Sequence, residues 1–305
     1  LLLQPLSHGA AYFVLPYIMR GCTVVVMPRF DADEALTLMH RLAIETVRIV
    51  PTMLQRMLHS PAIARDFPRL RQILYAGSAV PAAVLRAAIE RFGPRLSQQY
   101  GQSEAPSTIA LLPREDHTLA NLERGILASA GRPWPTVELG IVDEDDRPLP
   151  PGTPGEVVVR APHCMSGYWK RPETTAHALR GGWLHTNDLG RLDHDGRLYL
   201  LGRRDEMIIS GGYNIAPREV EDALHRHPAV LEAAVIAEPD DEWGQAVVAY
   251  AVVRDRAIDA DALIEYVRPL LGYKRPRRVH LLDELPKSPN GKIRKTALRP
   301  PRSGG

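Results

Sequence analysis

The first third of the chain alternates short apolar bursts with amphipathic stretches. GCTVVVMP, from Gly21 to Pro28, is a β-branched run bounded by Gly and Pro, which predicts a buried strand. FDADEALTLMHRLAIE follows with apolar residues at helical spacing and with Asp31 or Asp33 placed to cap a helix. VRIVP (Val47 to Pro51) predicts a second strand, PTMLQRML a helix, LRQILYAGS a third strand, and PAAVLRAAIERFG a helix closed by Gly93. Strand and helix alternating in this way imply a parallel sheet covered by helices. Such sheets bind ligands beyond the carboxyl ends of their strands. The loops YAGSA and QYGQSE both follow strands and so fall there.

From residue 125 to 201 the pattern changes to short strands punctuated by Asp- and Pro/Gly-rich turns, with GRLDHDGRLYLLGR reading as a hairpin around Asp195-Gly196. This predicts a β-rich, barrel-like subdomain. From residue 204 a helix, the strands LEAAVIAE and AVVAYAVV, the helix DADALIEYVRPLL and a last strand form a compact α+β pattern. The stretch GRRDEMIISGGYNIAPREVE joins the two regions: a polar segment, a short strand, a Ser-Gly-Gly turn, then a helix with Pro217 in its first turn. The expected fold class is therefore α/β. A larger domain covers 1–203 (α/β over 1–120, β-rich over 121–203), and a small α+β domain covers 204–305.

Composition narrows the function less than the pattern narrows the fold. With 45% hydrophobic and 24% charged residues over 305 positions, the chain has the make-up of a globular protein with sizeable cores. A net charge of +2, with no aromatics interleaved among the basic residues of YKRPRR and KIRK, gives no case for nucleic acid. No apolar run reaches the length of a membrane span. Cys22 and Cys164 make neither a disulfide framework nor a metal-ligand spacing, so a reducing, cytoplasmic setting is expected. Association of copies of the chain is compatible with the sequence, which says nothing further about it. The opening Leu1-Leu2-Leu3 is neither an initiator methionine nor a signal peptide and reads as a fragment.

Several loops carry chemistry. In YAGSAVP, the small residues Ala76, Gly77, Ser78 and Ala79 let backbone approach a flat ligand, although, taken alone, the loop reads more simply as an ordinary strand-to-helix turn. In QQYGQSE, Tyr100, Gly101, Ser103 and Glu104 put a ring, a hydroxyl and a hard carboxylate in one loop; a carboxylate suits Mg²⁺ when phosphates supply other oxygens. In GGWLHTNDLG, Asp188 has two oxygens that can accept from two hydroxyls together. In LPKSPNGKIRK, Lys292 follows an Asn-Gly turn that projects its ammonium outward, where it can meet developing negative charge.

Taken in order, these motifs resemble the adenylate-forming enzymes, the superfamily of acyl-CoA synthetases, luciferase and peptide-synthetase adenylation domains, and sit closest to the acyl-CoA synthetase branch. QYGQSE is similar to that family's Tyr-Gly-x-Thr-Glu, WLHTNDLG to its Trp-x-x-Thr-Gly-Asp-x-Gly with Asn187 in place of Gly, and PKSPNGK to its Pro-x-x-x-x-Gly-Lys. The resemblance implies that Gly77, Ser78, Ala79 and Gly101 border the nucleotide, that Tyr100 packs on adenine, and that Ser103 faces phosphate with Glu104 on Mg²⁺. It implies that Asp188 and Arg203 hold the ribose, that Asp205 is a hinge, that Gly211 and Gly212 line a coenzyme A channel, and that Lys292 is the adenylation lysine. Ala76, Gly77 and His8 of PLSHG would border the acyl pocket, with a structural role the other reading for His8.

The activity this implies is activation of a small carboxylic acid by Mg·ATP to acyl-adenylate, then transfer to coenzyme A. The family's phosphate loop, Thr-Ser-Gly-Thr-Thr-Gly-x-Pro-Lys, does not occur in the sequence, and in the family it lies upstream of the segment that opens it. A non-catalytic fragment that at most binds nucleotide is therefore one alternative. A peptide-synthetase-type adenylation domain is another, disfavoured by IISGGYNIAPREVE.

Overall fold

A computed structural model describes residues 1–7, 9–78, 80–106, 108–254, 257–288 and 293–298. These fall into two compact units. The first comprises Leu1–Thr186 and Gly190–Leu200; the second comprises Asn187–Leu189, Leu201–Ser288 and the described residues 293–298.

The first unit opens with helices α1 (Ala11–Met19) and α2 (Ala32–Arg41). Asp31 caps α2, its side chain accepting from the Glu34 amide at 2.8 Å, a contact that stabilises a helix by roughly 1 kcal/mol. Strand β1 (Thr46–Ile49), α3 (Pro51–Leu58), β2 (Gln72–Ala76), α4 (Ala82–Phe92) and β3 (Leu96–Tyr100) follow the predicted alternation. β1, β2 and β3 are parallel neighbours, and β4 (Ala110–Leu112) and β5 (Arg132–Pro133) extend the sheet antiparallel. The expected strand at Gly21 to Pro28 is reduced to one bridge, Val26 to Leu2, and Leu2 also bridges Arg48.

The sheet has two unlike faces. Val47, Ile49, Ile73, Tyr75 and Leu96 join Leu54, Met57, Leu85 and Phe92 from α3 and α4 in one apolar core. Alternation sends the intervening residues the other way, and in register these are Arg48, Leu74, Ser97 and, one step along, Gln99.

Past the short helix α5 (Leu119–Glu123), strands β6 (Glu138–Val142), β7 (Gly155–Arg160), β8 (Leu184–Leu192) and β9 (Leu198–Arg203) form a four-stranded sheet in that order, with α6 (Pro172–Ala178) between β7 and β8. No closed barrel forms among the described strands. The division between units runs through the β8–β9 hairpin.

The second unit continues with the hairpin β10 (Ile208–Ser210) and β11 (Tyr213–Ile215), helix α7 (Pro217–Leu224), strands β12 (Val230–Asp240) and β13 (Gly244–Val253), α8 (Ala260–Leu271) and β14 (Arg278–Leu281). β12 and β13 are antiparallel and β14 joins β13 in parallel. One face of this sheet buries Val235, Val247 and Ala249 against Val220, Leu224, Leu263 and Val267 of α7 and α8.

Candidate active site

In the first unit the loops that carry the motifs leave the carboxyl ends of β2 and β3. Beneath the first loop Tyr75 is fully buried, and its hydroxyl lies 2.9 Å from His117 Nε2. His117 Nδ1 lies 2.8 Å from the Pro113 carbonyl, which can only accept. The proton therefore sits on Nδ1, and Tyr75 donates to Nε2. Burial lowers the histidine's pKa and raises the tyrosine's, so both are neutral and hold the strand end rigidly. Ala76 is half-buried there, while Gly77, at φ +99, and Ser78 are exposed. Ala79 and His8 lie outside the described residues.

At the end of β3, Tyr100 is buried with Ala105, Ile109 and Ala110, only 8% exposed. Gly101 and Ser103 are exposed. Glu104 is half-buried, and its Oε1 accepts from the Tyr168 hydroxyl at 2.8 Å, while its carbonyl accepts from the Met165 amide at 2.7 Å. Among the described residues Oε2 has no hydrogen-bond or ion-pair partner. One oriented carboxylate with an oxygen to spare fits Mg²⁺, which is held by one or two carboxylates plus substrate phosphates rather than by a full protein cage. No cluster of three His, Cys, Asp or Glu side chains that could hold a metal by itself occurs among the described residues. The segment containing Tyr168 carries none of the motifs singled out in the sequence, yet it supplies the only described side-chain partner of Glu104. Gln102 Nε2 donates to the Thr186 carbonyl at 2.9 Å, and Thr186 Oγ1 donates to the Val157 carbonyl at 2.7 Å, tying the loop to β7 and β8.

The second unit carries the other residues. Asn187 takes φ +59, the left-handed conformation that Asn tolerates better than most residues. Asp188 is buried and accepts from Arg203 Nη1 at 3.3 Å; Arg203 Nε lies 3.6 Å from Asp205, which is exposed. Burial alone would lower the pKa of Arg203, but Asp188 and then Asp205 outweigh it and raise it. Gly211 and Gly212, at φ +57 and +81, form the two-residue turn between β10 and β11, a geometry open to glycine and costly to most residues. A Cβ on Gly211 would also meet the Trp243 ring at 2.5 Å, a packing reason for glycine that the sequence does not display.

Lys292 lies outside the described residues. The chain is tied on either side: Lys287 bridges Ile293, and the Arg294 amide donates to the Pro286 carbonyl at 2.8 Å. Lys295 pairs with Glu206 and Glu221, each at 2.9 Å.

A mostly parallel α/β sheet with carboxylate- and hydroxyl-bearing loops at its carboxyl ends, followed by a small α+β unit, is the arrangement expected from the resemblance to the adenylate-forming enzymes. Comparison with known proteins makes the assignment specific. The family model for the AMP-binding enzyme matches residues 1–169, and that for the AMP-binding enzyme C-terminal domain matches residues 219–292. The chain belongs to this family. It is 38% identical over 309 aligned residues to the medium/long-chain-fatty-acid–CoA ligase FadD8 of Mycobacterium tuberculosis, an alignment covering 98% of this chain and 53% of that protein. The fold matches the amide bond synthetase McbA from Marinactinospora thermotolerans with a TM-score of 0.91 at 40% identity, covering 97% of this chain and 61% of that one. It matches o-succinylbenzoate CoA synthetase (MenE) from Bacillus subtilis, solved with its acyl-adenylate intermediate, with a TM-score of 0.86 at 34% identity, covering 100% and 61%. The chain thus spans a little over half the length of the relatives it matches.

Proposed function

We propose that this chain carries the greater part of the catalytic apparatus of an AMP-forming acid–thiol ligase. In the first step an oxygen of the substrate carboxylate attacks the α-phosphorus of ATP. The α–β phosphoanhydride bond breaks, pyrophosphate leaves and an acyl-adenylate forms. In the second step the sulfur of coenzyme A attacks the acyl carbon, the thiol proton is lost, and AMP departs with the C–O bond electrons. The observation that carries the reading is the Glu104 carboxylate, oriented by Tyr168 beside the exposed Ser103 with Oε2 unengaged.

Mg²⁺ held by Glu104 would neutralise charge on the departing pyrophosphate. Asp188 accepts from the ribose hydroxyls, with Arg203 fixing its orientation and bonding to the sugar in its own right. The Gly77–Ser78 backbone and Tyr100 border the adenine, and Ser103 faces phosphate. Two further groups serve one step each: Lys292 offers charge to the first, and the Gly211–Gly212 turn leaves room for the pantetheine arm in the second, with Asp205 at the hinge.

The likeness to an amide bond synthetase favours a second reading, in which an amine rather than a thiol takes the acyl group from the adenylate. Both share the first step and differ in the acceptor. Pyrophosphate release by this chain with Mg·ATP and a panel of acids tests the first step, and Lys292→Ala is the control. AMP formation that then depends on coenzyme A supports the ligase; dependence on an added amine, with coenzyme A inert, supports the other reading. Absence of acid-dependent pyrophosphate release, both here and in the chain extended to the length of its relatives, overturns both.

A further inference from the structure

Arg48 lies on the polar face of the first sheet, in the middle of a strand whose other residues are apolar or β-branched. Its Nη1 donates to Gln99 Oε1 at 2.9 Å, and its guanidinium lies 4.3 Å over the Phe13 ring. Its Nε is buried and has no partner. No carboxylate lies within ion-pair distance of it among the described residues. Burial brings its pKa down to about 10, despite the hydroxyls of Tyr17 and Tyr12 nearby. A guanidinium taken from water without an acid is costly, and structures tolerate it where an anion completes the site.

What surrounds the guanidinium shows what it is prepared for. Gln99 occupies Nη1 and Phe13 covers one flat face, which fixes the plane and leaves the Nε–Nη2 edge. That edge is the fork that grips a carboxylate with two parallel bonds. Gly9 stands against it: a Cβ at that position would lie 3.0 Å from Nη2 and 3.9 Å from Nε, so a larger residue there would crowd the guanidinium. Gly9 belongs to the same short segment as His8, and Gln99 immediately precedes Tyr100. Arg48 also lies well back from the reaction centre. It is in register with Leu74, three residues before Gly77, or roughly 10 Å along the strand.

We infer that Arg48 binds a second carboxylate, at the far end of an acyl substrate whose first carboxylate is activated at the strand ends, so that this protein selects dicarboxylic acids of medium length. The inference rests on the ligase reading for what happens to the first carboxylate. The Arg48–Gln99 pair, further fixed by Gln99 Nε2 donating to Thr108 Oγ1, holds the fork in place before the substrate arrives.

Suberate and octanoate have the same chain length and differ in the second carboxylate, which makes them the probes. Calorimetric titration of each into the full chain should give at least ten-fold tighter binding of suberate. Arg48→Met, which keeps an unbranched apolar stem and loses the charge, should abolish or reverse that preference. Arg48→Lys should retain only part of it, since an ammonium cannot form the fork. Thermal melting of each variant checks that it is folded. Equal affinities in the unaltered chain, no binding of suberate, or a suberate preference that survives in Arg48→Met would overturn the inference. Acid-dependent pyrophosphate exchange, run in parallel, separates the two claims. Exchange with octanoate but not suberate refutes the role of Arg48 and spares the ligase, while suberate preference without any exchange, both here and in the chain extended to the length of its relatives, refutes the ligase reading.

Discussion

The two units treat their functional charges in opposite ways. In the first, Glu104 has a neutral phenol for a partner, so its negative charge is oriented but not cancelled. In the second, the described charges are cancelled close by: Asp188, Arg203 and Asp205 alternate in sign, and so do Glu206, Lys295 and Glu221. Asp205 and Glu206 are adjacent in sequence yet belong to different networks. An uncancelled carboxylate attracts a cation and can stabilise charge that moves during reaction. A cancelled one positions, through hydrogen bonds whose direction the counter-ion fixes. On the proposed reading, the Glu104 carboxylate serves charge stabilisation and the Asp188–Arg203 pair serves placement.

The largest expected effect breaks this comparison at its charged end. Glu104→Gln keeps the volume and an acceptor for Tyr168 but removes the charge. It should lower acid-dependent pyrophosphate release by roughly 10²–10³-fold, the scale of losing one preorganised electrostatic group. Excess Mg²⁺ should not restore the rate. A loss under three-fold would mean that Glu104 does not face a cation.

Lys295→Met tests the cancelled arrangement as a matter of stability. It leaves Glu206 and Glu221 without their shared counter-ion, at a cost of about 2 kcal/mol, or roughly 8–16 °C in the melting of a unit of this size. Burial lowers the pKa of Lys295, but Glu221 and then Glu206 outweigh it, and the net shift is upward. A group whose pKa is raised on folding stabilises fully below its unfolded value, near 10.5, and loses that contribution as pH climbs through the folded value. The difference in melting temperature between the two proteins should therefore hold constant from neutral pH to about 10 and shrink above it. A difference that shrinks already between pH 7 and 9 would show that another group is responsible.

Asp188→Asn should raise the KM for ATP by about ten-fold or more, the scale of a lost hydrogen bond to a charged group, while kcat falls far less. An equal loss in kcat alone would move Asp188 from placement into charge stabilisation and erase the contrast between the units.

The sequence displayed what depends on neighbours along the chain. Pro51 after the extended Val50 marks the start of α3, Asp31 the start of α2, and both helices lie where the periodicity puts them. GCTVVVMP shows the limit of that signal. Its β-branched run promises a strand, but a strand is made by its partners, and only Val26 finds one, in Leu2. Tyr168 was invisible for the same reason: it acts on a residue 64 positions away, from a segment that carries none of the motifs. Trp243, which forces glycine at position 211, lies 32 residues from it in sequence, and Lys295 reaches 89 residues back to Glu206. Arg48 did leave a trace, as the one charge inside VRIVP, though a trace that only its missing partner makes legible.

The smallest predicted effect is the one that most sharpens the contrast between the units. Tyr168→Phe removes a single hydroxyl, and with it the hydrogen bond to Glu104 Oε1, while the ring and its packing stay. A neutral hydrogen-bond donor to a carboxylate contributes on the order of 1 kcal/mol, so activity at saturating Mg²⁺ should fall only about three- to ten-fold. The direction of the Mg²⁺ dependence carries more information than that loss. Without its donor the carboxylate keeps its charge and loses its fixed orientation, so more Mg²⁺ should be needed for half-maximal pyrophosphate release, with the KM for ATP at saturating Mg²⁺ nearly unchanged. An Asp188 variant should show the reverse, a shifted ATP dependence at an unshifted Mg²⁺ requirement. If Tyr168→Phe instead moves the ATP dependence alone, Glu104 is serving placement as Asp188 does, and the division of roles between the two units falls.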